Sequence, residues 1–174
     1  LLLLFFMLLG RFFYLLICSI YAKENINNEK LLLIKKEILF PVIGLLFTGN
    51  LLILLNYFLP LKNFIVYLII GIIIIQQLVS INYKIPKFDI HKIVYFLIIP
   101  SILIVSISDI TFHYDAAYYH LNHQNWLRES NLIVGMVNIF WPFGMSSIYE
   151  YLSAFLWFDS SFILLHYLNL ICIH

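Results

Sequence analysis

Charged residues are scarce in this chain, and their scarcity indicates its class. Only 11% of the 174 residues are Asp, Glu, Lys or Arg, whereas 63% are hydrophobic and 18% are aromatic. Globular domains have about 25% charged and about 45–50% apolar residues. The composition therefore argues against an ordinary soluble domain and predicts a polytopic membrane protein.

Basic clusters and paired cysteines are also absent. The net charge is +1, and no run of Lys and Arg with interleaved aromatic residues indicates a nucleic-acid partner. Cys18 and Cys172 lie singly inside apolar runs, which is typical of packed or lipid-facing thiols. The chain opens on Leu1 without Met and closes inside an apolar run, so we expect residues 1–174 to be the amino-terminal part of one transmembrane domain, a fragment of a longer protein.

Long apolar runs make up most of the chain, and a membrane-spanning helix needs about 20 such residues. The sequence thus predicts an all-α fold, a polytopic transmembrane bundle of about five spanning helices. Pro60 should close the second helix before a tight turn, and Pro100 should kink the fourth. The predicted spans are Leu1–Tyr21, Ile38–Leu59, Phe64–Asn82, Ile93–Ile107 and a last run that starts near Tyr151 and continues to the end, interrupted by Asp159, Ser160, Ser161 and His166.

Lysines are distributed unevenly between the predicted loops. Cytoplasmic loops of membrane proteins retain Lys and Arg, and here most of the lysines fall in the loops at 23–37 and 84–92. The 111–150 loop holds Arg128 as its single Lys or Arg. We therefore predict that this loop and the amino end lie outside, and that the two lysine-rich loops lie inside.

The 111–150 loop contains a helical pattern from Asp115 to about Glu129 that is too polar to span a membrane. Such an amphipathic helix lies along the interface. Asp115 stands where a carboxylate can cap the free N–H groups of the helix. Helical spacing predicts one polar and aromatic face, while His120, His123 and Gln124 project to its flank. The residues of that face are Asp115, Tyr118, Tyr119, Asn122 and Trp126, with Glu129 close to its end.

Two interpretations of this face stay open. Aromatic rings stack on sugars and carboxylates accept from hydroxyl groups, so the face suits a sugar or a lipid-phosphate substrate. Tyr and Trp also anchor helices at lipid headgroups. A divalent metal ion is a further candidate, because imidazole and carboxylate groups at this spacing can converge on one ion. His113, Asp115 and His123 are the candidate ligands, although neither an HExxH pattern nor a cysteine pair accompanies them.

The segment from Asp115 to Asn138, DAAYYHLNHQNWLRESNLIVGMVN, resembles the GT-C class of membrane glycosyltransferases. The likeness lies in the order of an external Asp, an interfacial helix with a YH pair and a Trp, a Gly-x-x-Asn loop and a returning membrane helix. With Gly144 to Ser147 after it, the segment is also similar to uncharacterised bacterial polytopic proteins that are associated with surface-polysaccharide synthesis.

This resemblance implies transfer of a sugar from a polyprenyl-phosphate donor to a glycan or lipid acceptor, in cell-surface polysaccharide or glycolipid synthesis. It implies the bacterial inner membrane as the location, with the loop on the periplasmic side. In the class, an acid of the first external loop serves as the general base or helps to hold a metal, and that role falls on Asp115. His120 is then its partner or a phosphate contact. The implied substrate contacts are Tyr119, Asn122, Trp126, Arg128, Glu129 and Asn138.

Two other functions remain as alternatives. The first is a non-catalytic polysaccharide transporter or export component, which an inverted repeat or a polar path through the membrane would favour. The second is an O-antigen polymerase, which would require several external Arg residues. The class often carries a second acid beside the first, whereas Tyr114 and Ala116 flank Asp115 here.

Overall fold

The computed structural model describes residues 2–21, 36–79, 90–107, 114–144, 146–157 and 163–173. Within these ranges all regular structure is helical and no strand occurs, which confirms the predicted all-α class. The elements are α1 (Leu2–Tyr21), α2 (Lys36–Asn56), α3 (Asn63–Val79), α4 (Ile90–Ile93, the π-helical turn Val94–Ile98 and Ile99–Ile107), α5 (the π-helical turn Ala116–His120 and Leu121–Glu129), α6 (Ile148–Phe155) and α7 (Ile163–Ile173). Two 3-10 turns, Met136–Asn138 and Trp141–Gly144, lie between α5 and α6.

The apolar helices differ in length. The part of α2 from Ile38 to Asn56 is long and apolar enough to cross a membrane. Within the described ranges, Leu2–Ile17 and Asn63–Ile75 are apolar helical stretches that are shorter. The lysine-rich segments at 23–35 and 84–89, which orient the predicted bundle, lie outside the described residues.

Glycine allows α1 and α2 to pack with their backbones in close contact. A Cβ atom added to Gly10 would lie 1.7 Å from the carbonyl oxygen of Phe40, and one added to Gly44 would lie 2.0 Å from that of Phe6. Small residues at a helix crossing permit this approach, which is the usual way in which apolar helices associate without a hydrophobic driving force. The same crossing buries Phe6 and Leu9 in the core.

Pro100 is accommodated by a change of helix type. Pro lacks an N–H group, and its ring clashes with the carbonyl four residues earlier in a regular α-helix. The π-helical turn Val94–Ile98 lies immediately before it and widens the helix at this point. The tight turn predicted after Pro60 is also present, since α2 ends at Asn56 and α3 begins at Asn63.

The last apolar run is not the single helix that the sequence predicted. The helix begins earlier, at Ile148, and α6 already ends at Phe155, while α7 starts at Ile163. With 8 residues, α6 is only roughly 12 Å long, which is too short to span a membrane. From Glu150 to Phe155 every residue of α6 is buried. This correction follows from tertiary contacts at the carboxyl end of α6, which are described below.

Three segments meet at one end of the helix bundle. The ring of Phe5 near the start of α1 stacks on Phe155 of α6 at 6.2 Å. Gly49, in the last third of α2, packs against Ile148, because a Cβ atom there would lie 2.1 Å from its side chain. The start of α1, the end of α2 and the helix α6 are therefore neighbours.

Candidate functional site

Asn56 joins the turn between α2 and α3 to the end of α5. Its side-chain Nδ2 donates to the carbonyl oxygens of Leu127 at 3.0 Å and Ser130 at 3.1 Å. The backbone strengthens this junction, since the N–H of Leu61 donates to Leu127 and the N–H of Leu132 donates to Asn56. Asn56 is fully buried. These bonds hold α5 against the end of α2.

Arg128 fastens α5 to the carboxyl end of α6. Its Nη1 donates to the carbonyl oxygens of Ala154 and Trp157, and its Nη2 donates to Oδ1 of Asn63 at 2.9 Å. The guanidinium carbon also lies 5.5 Å from the centre of the Trp157 ring. Carbonyl groups at a helix end have no partner within the helix, and a cation there also complements the helix dipole. Arg128 therefore explains why α6 can stop at Phe155.

A buried carboxylate lies at the other end of α6. Glu150, in the first turn of that helix, is only 4% exposed. His120 donates from Nδ1 to its Oε1 atom, and Gln124 donates from Nε2 to its Oε2 atom at 3.0 Å. Each carboxylate oxygen thus has a partner from α5. Since a buried charge is costly unless it is paired, these two hydrogen bonds offset the free-energy cost of burying the Glu150 carboxylate.

His120 connects this carboxylate to the surface. Its side chain is 44% exposed, whereas that of Glu150 is 5% exposed. Because Nδ1 is bonded to the buried carboxylate, Nε2 is the ring nitrogen that remains for a second partner. A carboxylate that accepts from Nδ1–H leaves Nε2 without a proton in the neutral ring, and Nε2 can then take a proton from another molecule.

His123 lies one helical turn further along α5 and is buried. Desolvation lowers the pKa of its imidazole from the ordinary value of 6.5; the nearby Glu150 opposes this shift and His120 adds to it. His123 is therefore kept neutral inside the structure while Glu150 is held by its two neighbours. The two histidines of α5 differ in environment: one reaches the surface and one does not.

Aromatic rings cover the outer side of α5. The Tyr118 ring makes an edge contact with Phe140 at 5.3 Å, and the Trp126 ring packs on Phe143 at 4.7 Å. Phe140 and Phe143 themselves make an edge contact at 5.5 Å. The 3-10 turns between α5 and α6 supply these partners. A small cavity of about 60 Å³ lies beneath them, where His123, Trp126 and Ser146 are among the lining residues.

Part of the predicted polar face of α5 is exposed, and two of the three residues of its predicted flank are buried. Tyr118 and Asn122 are exposed, while His123 and Gln124 are buried. The π-helical turn Ala116–His120 contributes to this arrangement, because it inserts an extra residue into the turn and shifts the phase of the residues that follow. The side-chain Nδ2 of Asn122 donates to the carbonyl oxygens of Ala117 and Tyr118 at this change of helix type.

The other predicted site residues lie apart from the carboxylate pair. Asp115 is half-buried and already helical (φ −61°, ψ −31°), and its side chain makes no capping hydrogen bond. The Tyr119 ring lies 4.2 Å from that of His120. Glu129 is exposed and pairs with Lys62 at 3.6 Å. Asn138 is exposed at the end of a 3-10 turn that Gly135 begins with a left-handed backbone (φ 88°).

The search for a metal centre covers the residues that the structure describes. Among them, no group of three or more His, Cys, Asp or Glu side chains is arranged to hold a metal ion. Of the three candidate ligands, Asp115 and His123 are described, and His113 lies outside the described residues.

Glu150 and Gln124 are the site residues that the sequence did not assign. Glu150 is 30 residues from His120 and 26 residues from Gln124 along the chain, so no local motif joins them. A carboxylate in the first turn of a predicted helix also has an ordinary role, because it complements the helix dipole. The one signal in the sequence was the position of Glu150 between charge-free residues 130–149 and an apolar run.

The chain was compared with protein-family models, with curated proteins and with solved structures, and none of the three comparisons finds a match.

Proposed function

We propose that the protein is a polytopic membrane enzyme that transfers a sugar from a polyprenyl-phosphate donor to a glycan or lipid acceptor outside the bacterial inner membrane. The reaction joins the acceptor oxygen to the anomeric carbon of the sugar and breaks the bond from that carbon to the phosphate oxygen. The acceptor hydroxyl gives up its proton to a base of the enzyme. The lipid phosphate leaves as an anion.

The geometry of the bundle end supports the proposed topology. In a bundle whose helices alternate in direction, the amino end, the turn before α3 and the loop that contains α5 all lie on one side. The hydrogen bond from Leu61 to Leu127 joins the turn to α5, the bond from Arg128 to Ala154 joins α5 to α6, and the stacking of Phe5 on Phe155 joins α6 to the amino end. The uneven distribution of lysines favours the exterior for that side.

The observation that carries the proposal is the pair formed by His120 and Glu150. A buried carboxylate that holds Nδ1 of a partly exposed imidazole is the arrangement that prepares Nε2 to accept a proton. Gln124 fixes the second carboxylate oxygen and so limits rotation of the carboxylate. Aromatic rings of the kind that stack on sugars, Tyr118 and Trp126, lie on the same helix.

Two groups are candidates for the base. Asp115 is the base that the resemblance implies, and it lies half-buried directly before α5. His120 is the base that the geometry favours, with Glu150 as its positioning residue. The proposal does not use Arg128 as a phosphate ligand, since its guanidinium donates to Ala154, Trp157 and Asn63. A divalent metal ion remains a candidate cofactor, and loss of transfer on chelation would support it.

Transfer of a radiolabelled sugar from a polyprenyl-phosphate donor, measured with the full-length protein in vesicles, tests the proposal. We expect His120→Gln and Glu150→Gln to lower the rate by about 10²–10⁴, the range that a general base contributes. His91→Gln is the matched control, because His91 is an exposed histidine at the start of α4. It should leave the rate unchanged.

The same assay decides between the two bases. A large loss in Asp115→Asn with a small loss in His120→Gln would assign the proton to Asp115. The reverse would assign it to His120. If Asp115→Asn, His120→Gln and Glu150→Gln all insert normally and transfer sugar at the native rate, this loop is not a glycosyltransferase site. Binding of a glycan without transfer by the native protein would favour the export component instead.

A further inference from the structure

The loop between α5 and α6 presents an exposed apolar surface at the end of the bundle, which we call the 133–141 patch. Its three most exposed apolar residues are Val134 at 91%, Ile139 at 71% and Trp141 at 62%. Ile133 and Val137 are exposed as well. From Ser130 to Tyr149 the chain contains no charged residue and no histidine. A contiguous apolar surface of this kind marks a site of interaction.

The patch begins at the level where α2 ends. The N–H of Leu132 donates to the carbonyl oxygen of Asn56 at 2.8 Å, and Asn56 is the last residue of the stretch that is long and apolar enough to cross a membrane. A helix of that kind ends where the hydrocarbon ends. Tyr57 and Phe58, which follow directly, are 58% and 70% exposed. Aromatic residues are enriched at this depth, where their rings meet the headgroups.

Part of the backbone of the loop is paired within the loop. The N–H groups of Asn138, Ile139, Phe140 and Phe143 all donate to carbonyl oxygens of the same loop, at 2.9–3.2 Å. A backbone group without a partner costs several kcal/mol in a lipid environment, so such pairing is a requirement there. Gly135, with its left-handed backbone, makes the first of these turns.

We infer that the 133–141 patch binds lipid: it lies in the boundary between the headgroups and the acyl chains, on the side of the membrane where α5 lies. Three independent features point to lipid rather than to a protein partner. The patch is level with the end of a helix that is able to span a membrane, it has no charge to pair with a partner, and the N–H groups of Asn138, Ile139 and Phe140 are paired within it. Trp141 is its interfacial anchor.

Tryptophan fluorescence in vesicles tests this inference, because the chain has only three Trp residues. The double variant Trp126→Phe, Trp157→Phe retains Trp141 as its single emitter. Its emission should be blue-shifted, and it should be quenched strongly by phosphatidylcholine brominated near the glycerol end of the acyl chain. Bromine near the methyl end should quench it less. The matched control keeps only Trp157, which is 9% exposed and packs against Arg128, and brominated lipid should quench it little.

A second measurement avoids the double substitution. In the native background, Trp141→Phe should remove most of the emission that brominated lipid quenches, whereas Trp157→Phe should not. The inference is overturned if Trp141 is insensitive to brominated lipid. Quenching by aqueous iodide would then place the patch in water, and protection from both quenchers would place it against protein. Neither result depends on the proposed sugar transfer, so the two proposals fail separately.

Discussion

Replacing Gly44 with Ala tests the crossing of α1 and α2 on which the bundle depends. The added Cβ would lie 2.0 Å from the carbonyl oxygen of Phe6 and 2.8 Å from its carbon. Real Cβ atoms essentially never approach closer than 3.0 Å, so the backbones must separate by at least about 1 Å. Neither atom belongs to a flexible side chain that can turn away. The strain must therefore be relieved by moving one whole helix.

The cost follows from the packing that this movement loses. A gap of 0.5–1 Å forfeits roughly a quarter to a half of the dispersion energy of each contact it opens. Overpacked core positions lose about 1–3 kcal/mol, and an immobile backbone partner places Gly44→Ala near the upper end, at about 3 kcal/mol. Gly10→Ala should behave in the same way, since its Cβ would meet the carbonyl oxygen of Phe40 at 1.7 Å.

Gly71 is the matched control within the same molecule. It is also a helical glycine, in α3, but a Cβ atom there would meet nothing within 4 Å. Gly71→Ala should therefore be neutral or stabilising by up to about 1 kcal/mol, the helix propensity difference between Gly and Ala. The assay is equilibrium unfolding of the full chain in mixed micelles with an increasing fraction of SDS, followed by helical circular dichroism. If Gly44→Ala is as stable as Gly71→Ala, α1 and α2 do not cross at these glycines.

Two further predictions concern α5. Arg128→Lys should lower the free energy of unfolding by about 2–4 kcal/mol. Hydrogen bonds to a charged group contribute about 1.5–3 kcal/mol each, and the single ammonium group of Lys cannot replace the planar guanidinium. Unchanged stability in the same titration, together with lost sugar transfer, would make Arg128 a phosphate ligand instead. Burial lowers the pKa of His123 in the folded state below its ordinary value of 6.5. The contribution of His123 to stability is therefore fully present at pH values above 6.5, and it is lost as the pH falls below 6.5 and through the pKa of the folded state. Unfolding midpoints measured between neutral and mildly acidic pH should fall less in His123→Gln than in the native protein, and identical slopes would refute this assignment.

The helices that were predicted well are those whose apolar runs have clear ends. Pro60 and the polar residues beside it separate α2 from α3 in the sequence, and the structure has its turn there. Asp159, Ser160 and Ser161 mark an interruption of the last run in the sequence, but the end of α6 at Phe155 was not predictable from local signals. It depends on Arg128, which lies 26 residues before Ala154 and supplies the donors that let α6 end. A sequence pattern gives the period of a helix, and it does not give the partners of its last carbonyl groups.

The sequence predicted a candidate site between Asp115 and Glu129 but not its side-chain contacts. The prediction rested on the polar residues of this segment, which could not lie in lipid. Their orientation was predicted from a regular α-helix, and the π-helical turn Ala116–His120 alters that phase. Arg128 was predicted to be a substrate contact. Its burial became evident only with the fold.

Side chains of α5 bind both ends of α6, and this links the stability of the bundle to the geometry of the candidate site. Arg128 places its charge on the carbonyl groups at the carboxyl end, and Glu150 in the first turn lies where the helix dipole favours an anion. The bonds from His120 to Glu150 and from Arg128 to Ala154 lie in the same order along both helices, so the two helices lie side by side in the same direction. A helix of 8 residues that is buried and held at both ends by one neighbour cannot move independently of it. The position of Glu150 relative to His120 is therefore set in part by Arg128 at the far end of α6. A substitution of Arg128 that lets α6 shift should weaken the His120–Glu150 pair without touching either residue.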